Sequence, residues 1–240
     1  MGSFACLAPT LGAILMASAA SHAQGGTVTA RVAVMRNTSS KQQNAEVVVW
    51  LSPLHAQSSP YSFPENTKLA RLAQKGKTFE PHLLVVRAGS VVEFPNLDPF
   101  FHNVFSLYEG KRFDLGLYEA GSTRTVRFDR PGVSYIFCNI HSQMSAVIVA
   151  LDTPYYALSS RDGNVAIANV PPGRYLLQVW HEGTSPQSLN RLRREVVVSA
   201  GANSLGVVHV PEDEQAVAHK NKYGRDYDEP QPSNPAYPQP

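Results

Sequence analysis

The sequence predicts an all-β protein, and three observations carry that reading. Apolar residues almost nowhere recur at helical spacing for more than two turns. Short alternating or β-branched runs follow one another, and Gly, Pro, Asn or Asp punctuates the gaps between them. Beyond residue 210 these runs stop: residues 211–240 carry six acidic and three basic residues and end Pro-Gln-Pro, a composition that reads as a disordered C-terminal tail. With 240 residues, 43% of them hydrophobic, the chain is long enough for one or two β-sandwich domains.

Residues 1–23 contain no Asp, Glu, Lys or Arg, and most of 7–20 is apolar and small. Ser21, His22 and Ala23 fit a small-x-small cleavage site, so 1–23 reads as a secretory signal peptide, although the usual basic n-region is missing. A membrane anchor is the alternative, but the apolar run is short for a span, and no later segment has the length for one. Export implies a periplasmic or secreted protein with no stable membrane span after cleavage. Predicted strands follow at 27–35, 45–51, 69–74, 82–86, 90–94, 103–107, 122–128, 133–137, 146–151, 165–170, 173–180, 193–199 and 204–210. The Pro- and Ser-rich stretch 57–66 reads as a linker between the second and third. Asp162 and Gly163 form a turn that opens one late strand, and Pro171, Pro172 and Gly173 join it to the next, as hairpin chemistry requires.

The chemistry is concentrated after the strand at 133–137. Cys138, His141 and Met144 are spaced three residues apart on a tight loop, and His102 stands upstream in the apolar run Phe100 to Phe105. A thiolate, two imidazoles and a weak axial thioether are the donor set of a blue-copper electron-transfer site. Soft sulfur suits Cu(I) and imidazole suits both oxidation states, so one copper ion cycling between Cu(I) and Cu(II) is the cofactor these donors imply. Singly, each residue has a blander reading. A buried Cys packs as a small hydrophobe, a His on an apolar strand is usually a hydrogen-bonded core residue, and Met144 could be packing. These readings leave the coincidence of four donors unexplained. A Cys/His nucleophile pair lacks a clear orienting third group and gives Met144 no purpose. Structural zinc prefers more Cys and His at closed spacing, and the Cys-x-x-Cys-His of haem attachment is absent.

The rest of the composition agrees. The two cysteines are Cys6 and Cys138, so cleavage of the leader leaves one thiol and no internal disulfide. Metal ligation would hold that thiol as thiolate and shield it. The net charge of +2, with no basic run, excludes nucleic acid as an expected partner. Asn103 follows His102. Its side-chain amide is placed to bond across to the Cys138 loop and its N–H to face the Cys138 sulfur, against a reading as ordinary turn chemistry. Pro99, Phe100 and Phe101 read equally as core or as an apolar ring around an exposed ligand edge. His82 is an extra imidazole on a strand, read as a surface or supporting residue rather than a ligand. His55, His181, His209 and His219 are isolated.

The middle segment resembles a cupredoxin. The residues that carry the resemblance are Phe79, Pro81, Leu84, Val86 and Gly89, then Val92, Phe94 and Asn96, then His102, Asn103 and Val104, then the Cys138, His141 and Met144 loop. The short Cys-x2-His-x2-Met loop is most similar to amicyanin, of the bacterial methylamine utilization type, and the resemblance covers roughly residues 66–151. It implies a Greek-key β-sandwich in which His102, Cys138, His141 and Met144 hold one copper ion. Ser142 departs from the pattern, because amicyanin-like loops often carry Pro there. Residues 162–180 resemble a carboxypeptidase regulatory-like, or transthyretin-like, sandwich, whose opening strands match 26–30 and 45–51. The resemblance implies a second small β-sandwich built from 27–55 and 152–210, with the cupredoxin segment 66–151 inserted into it.

Together these readings predict a periplasmic one-electron transfer protein with a mononuclear type 1 copper site, not an enzyme. Its partner would be a redox protein, a dehydrogenase or a cytochrome. Copper oxidases and copper nitrite reductases need further His-rich copper sites, which the chain lacks. The runner-up is a copper-binding delivery or storage protein, or an envelope interaction module, without a carrier role.

Overall fold

A computed structural model of the chain describes residues 25–35, 46–55, 69–107, 110–213 and 220–227. The expected signal peptide and the whole of the expected linker at 57–66 lie outside the described residues. Among the described residues the chain is all-β apart from one short helix, and its strands form two sandwiches.

The first sandwich draws strands from both ends of the chain. β1 (Gly26–Met35) lies between β14 (Asn164–Val170), antiparallel, and β17 (Ala202–Pro211), parallel. Facing it is a sheet ordered β13 (Tyr156–Leu158), β2 (Val48–Pro53), β15 (Gly173–Trp180), β16 (Arg194–Val198). Alternate residues point inward, as the two-residue strand period requires. Val28, Val32 and Val34 of β1 therefore meet Leu51, Tyr175, Leu177 and Val179 in a Val-rich core.

The second sandwich occupies the chain between β2 and β13. One sheet orders β10 (Thr123–Phe128), β7 (Ser90–Pro95), β3 (Ala70–Arg71). The other orders β6 (Leu83–Arg87), β12 (Ser145–Leu151), β11 (Gly132–Phe137), β8 (His102–Ser106), β9 (Phe113–Tyr118). The hairpin β4 (Ala73–Lys75) and β5 (Thr78–Glu80) closes one side. Phe94, Val104, Phe128, Ile136 and Ile148 fill the core, and Cys138 and Met144 are part of it.

β12 explains how the sandwiches meet. Ala146, Ile148 and Ala150 face the core of their own sandwich, whereas Val147, Val149 and Leu151 face outward onto Val48 and Trp180 of the first. A strand buried on both faces reads as an unbroken apolar run, and β12 is one. Each outward side chain taken from water contributes about 1.5–3 kcal/mol, so this seam is a core in its own right. At its edge the His82 ring bonds the Glu182 carboxylate at 2.7 Å.

Several elements escape the sequence pattern. β9 contains Gly116, in the left-handed region at φ 68°, and Asp114, both of which read as turn residues. The expected strand at 69–74 breaks at Leu72, which turns into the core. The helix α1 (Pro186–Leu192), capped by Ser185, is too short to show a helical period. Of the expected tail, 214–219 and 228–240 lie outside the described residues. Pro211 ends β17, Asp213 accepts hydrogen bonds from Ser185 and Ser188, and 220–227 lie against the second sandwich. No helix among the described residues is long and apolar enough to cross a membrane.

Candidate metal centre

The β-ladders bring the donors together. His102 is the first residue of β8, Cys138 follows the last residue of β11, and Met144 precedes β12. Phe137 pairs with Ser145 across the β11–β12 hairpin and with Phe105 on β8. The residues just beyond those pairs are therefore crowded at one end of the sandwich. The loop closes on itself, with the Cys138 N–H donating to the Met144 carbonyl at 3.2 Å and the Met144 N–H to the His141 carbonyl at 3.1 Å.

Cys138 Sγ lies 3.8 Å from His102 Nδ1 and 3.6 Å from His141 Nδ1. All three donor atoms fall within 4.8 Å of one another, and among the described residues this is the one such group of three or more His, Cys, Asp or Glu donors. An ion roughly 2.0–2.3 Å from imidazole and thiolate donors, at near-trigonal angles, spans donor edges of about 3.5–3.8 Å. The two Sγ–N edges fit it. Met144 is fully buried in the same core. His82 is not in the group: its Nδ1 faces the Ser145 carbonyl and its Nε2 faces Glu182.

The surroundings prepare each donor. His102 Nε2 lies 2.8 Å from the Asp98 carboxylate, which accepts the ring proton there and leaves the Nδ1 lone pair facing Cys138. Asp98 is fixed in turn by the N–H groups of Gly76 (2.6 Å) and Lys77 (3.0 Å). Asn96 braces the same loop by bonding the carbonyls of Phe100 and Tyr118. Burial pushes the Asp98 carboxyl up, but the Lys77 N–H, His102 and the Gly76 N–H outweigh it and leave it below the usual range. Burial draws His102 down against the pull of Asp98. Burial, helped by His102 and Lys77, takes His141 to about 4. Both rings are therefore neutral near pH 7 in the metal-free protein, the state that can donate a lone pair.

Burial also raises the Cys138 thiol, opposed by the backbone N–H groups of Ile140, Asn103 and His141. Those three donors would cradle a thiolate. The rings of His102 and His141 are 4.9 Å apart, and Phe100 packs against both at 5.1 and 5.7 Å. His141 is half-buried, and Leu97, Phe101 and Ile140 are exposed. Of the two readings for 99–101, Phe100 is packing against the imidazoles and Phe101 is surface.

Asn103 divides its roles. Its N–H faces the Cys138 sulfur, but its side-chain amide does not cross to the Cys138 loop. It donates instead to Asp114 Oδ1 at 2.7 Å and to the Gly116 carbonyl at 2.9 Å, both on β9. The residues that sequence reasoning passed over are Asp98, Asp114, Lys222 and Tyr227. An acidic residue four positions before the candidate donor His102 was an available signal for Asp98. The others depend on β9 and on the 220–227 segment.

No protein-family model matches the chain, and no curated protein matches it. Structural neighbours are cupredoxins. A copper-containing nitrite reductase from Thermus scotoductus aligns at 23% identity over 36% of this chain, with a TM-score of 0.34, and the alignment spans 23% of that enzyme. A purple cupredoxin from Nitrosopumilus maritimus aligns at 20% identity over 34% of this chain and 99% of its own, with a TM-score of 0.31. Amicyanin from Paracoccus versutus aligns at 17% identity over 38% of this chain and 86% of its own, with a TM-score of 0.32.

Proposed function

We propose that the chain is a periplasmic or secreted one-electron carrier with a mononuclear type 1 copper site held by His102, Cys138, His141 and Met144. The observation that carries this reading is the convergence of Cys138 Sγ on the Nδ1 atoms of two neutral imidazoles, at 3.8 and 3.6 Å, beside buried Met144. Bound to such donors, copper supplies a reversible Cu(I)/Cu(II) couple. Asp98 holds the His102 ring in one tautomer, and three N–H groups hold the sulfur. A frame so braced on rigid strands changes little when the charge at its centre changes, which keeps electron transfer fast. The exposed residues Leu97, Phe101 and Ile140 would admit a redox partner, a dehydrogenase or a cytochrome, beside His141.

In this reading residues 66–151 are the cupredoxin domain, 27–55 with 152–210 form the carboxypeptidase regulatory-like sandwich, and 1–23 is the exported leader. The first sandwich then serves as a scaffold that orients the metal loop. The rival reading, copper delivery or storage, predicts ready release of the metal. Mixing oxidised and reduced protein in the presence of a Cu(I) chelator separates the two. Rapid electron exchange with copper retained supports the carrier; copper lost to the chelator with sluggish exchange supports delivery.

A further inference from the structure

We propose that residues 220–227 belong to the frame of the metal centre, with Lys222 and Tyr227 as positioning residues for the Cys138 loop. The proposal rests on the copper reading above for its purpose, and on independent contacts for its geometry. Asn221 folds the segment into a compact turn. Its Oδ1 accepts the N–H groups of Tyr223 (3.0 Å) and Arg225 (3.1 Å), its N–H donates to the Arg225 carbonyl at 2.9 Å, and Gly224 takes the required left-handed conformation at φ 75°. A turn that satisfies its own backbone presents its remaining groups in fixed directions.

Those groups meet the metal loop at two points. The Lys222 N–H donates to Asn139 Oδ1 at 2.9 Å, and the Tyr227 hydroxyl donates to the Cys138 carbonyl at 2.7 Å. A third contact closes a circuit. Lys222 Nζ lies 2.9 Å from Asp114 Oδ2, while Asp114 Oδ1 accepts from Asn103 Nδ2 at 2.7 Å. Asn103 in turn aims its N–H at the Cys138 sulfur. The amide of Asn103, which does not reach the Cys138 loop itself, is thus joined to it through Asp114 and Lys222. The two ligand loops are tied together by a third piece of chain, 83 and 89 positions beyond the residues it grips.

The consequence is mechanical and electrostatic. Cys138 and Asn139 are held at the Cys138 carbonyl and the Asn139 side chain, so the backbone that carries the sulfur cannot move outward without breaking these two hydrogen bonds. The Tyr227 hydroxyl also draws electron density from the carbonyl of the ligand residue itself. The segment lies outside both sandwiches, so its removal leaves their cores intact.

The test uses the full chain, a truncation after His219, and the variants Tyr227→Phe, Lys222→Met and Lys222→Arg, with folding followed by circular dichroism. In metal-free protein, alkylation of Cys138 by iodoacetamide, read at that peptide by mass spectrometry, should quicken about fivefold for each hydrogen bond lost and more in the truncation. With Cu(II) bound, the truncation and Tyr227→Phe should shift the reduction potential, and Lys222→Arg should stay close to the parent. A folded truncation with parental alkylation rate and potential would overturn the proposal. The alkylation arm needs no metal, so failure of the parent to take up Cu(II) would count against the copper reading alone.

Discussion

The two sandwiches share a fold class and a common seam, yet they treat buried polar groups differently. In the sandwich of β1 and β2, such groups satisfy backbone groups of neighbouring segments. Ser159 accepts from the Val47 N–H, Thr153 donates to the Leu51 carbonyl and accepts from the Tyr155 N–H, and Thr184 donates to the Pro211 carbonyl. In the sandwich of β7 and β12, three buried side-chain oxygens, Gln74 Oε1, Asn103 Oδ1 and Ser106 Oγ, have no hydrogen-bond partner among the described residues. Each such group costs about 1–3 kcal/mol. The same sandwich buries a thiol against two imidazoles. The buried Ser159, Thr153 and Thr184 of the first sandwich, by contrast, each have a backbone partner. Departures from local consistency gather where a second requirement acts, and these lie in the sandwich that carries the His102, Cys138 and His141 group.

The largest effect that sharpens this contrast lies at the seam. Trp180 of the first sandwich packs with Val147, Val149 and Leu151 of the second. Trp180→Ala should cost about 3–5 kcal/mol. Calorimetry of the parent should show one unfolding transition, and of the variant two, with the sandwich that carries Cys138 melting first. A single transition in the variant would mean that the sandwiches are coupled elsewhere.

A smaller effect isolates the site from the scaffold. Asp98→Asn keeps the size of the side chain but removes the carboxylate that orients His102. Copper affinity should fall about 10–100-fold, the usual consequence of removing a partner behind a ligand. Spectral competition with a chelator measures it. Unchanged affinity would mean that the ring is oriented by packing against Phe100 alone.

The smallest effect concerns pH. The bond to Glu182 raises the His82 pKa against the lowering effect of burial, with Glu46 and the Ser145 carbonyl adding to it. A raised folded-state value means the contribution is complete below the ordinary value of 6.5 and disappears as pH climbs through the raised one. The melting temperatures of the parent and Glu182→Gln should therefore differ most near pH 6 and converge by about pH 9. A difference that persists at high pH would make the contact one of packing rather than charge.

What was legible in the sequence followed from periods and residue types. The two-residue alternation of β1 and β14 and the unbroken apolar run of β12 marked strands without any tertiary information, and the candidate donors stood out because few chemistries use Cys, His and Met at that spacing. The contacts that finish the site were illegible because they are long-range. β9 hides behind Gly116 and Asp114, so the partner of Asn103 could not be foreseen and its amide was aimed at the wrong loop. Tyr227 and Lys222 sit in a polar, Pro-flanked stretch whose composition reads as disorder, and nothing local relates them to Cys138. The doubly buried β12 read simply as a strand, and its second partner needed the whole topology.

In the proposed centre Cys138 binds Cu(II) as a thiolate between two imidazoles. The most direct measurement is the visible spectrum of the protein titrated with Cu(II), beside the same titration of Cys138→Ala. The account predicts intense visible absorption that saturates at one ion per chain, vanishes on reduction and is absent in Cys138→Ala. A colourless parent, or colour that survives the loss of Cys138, would contradict it.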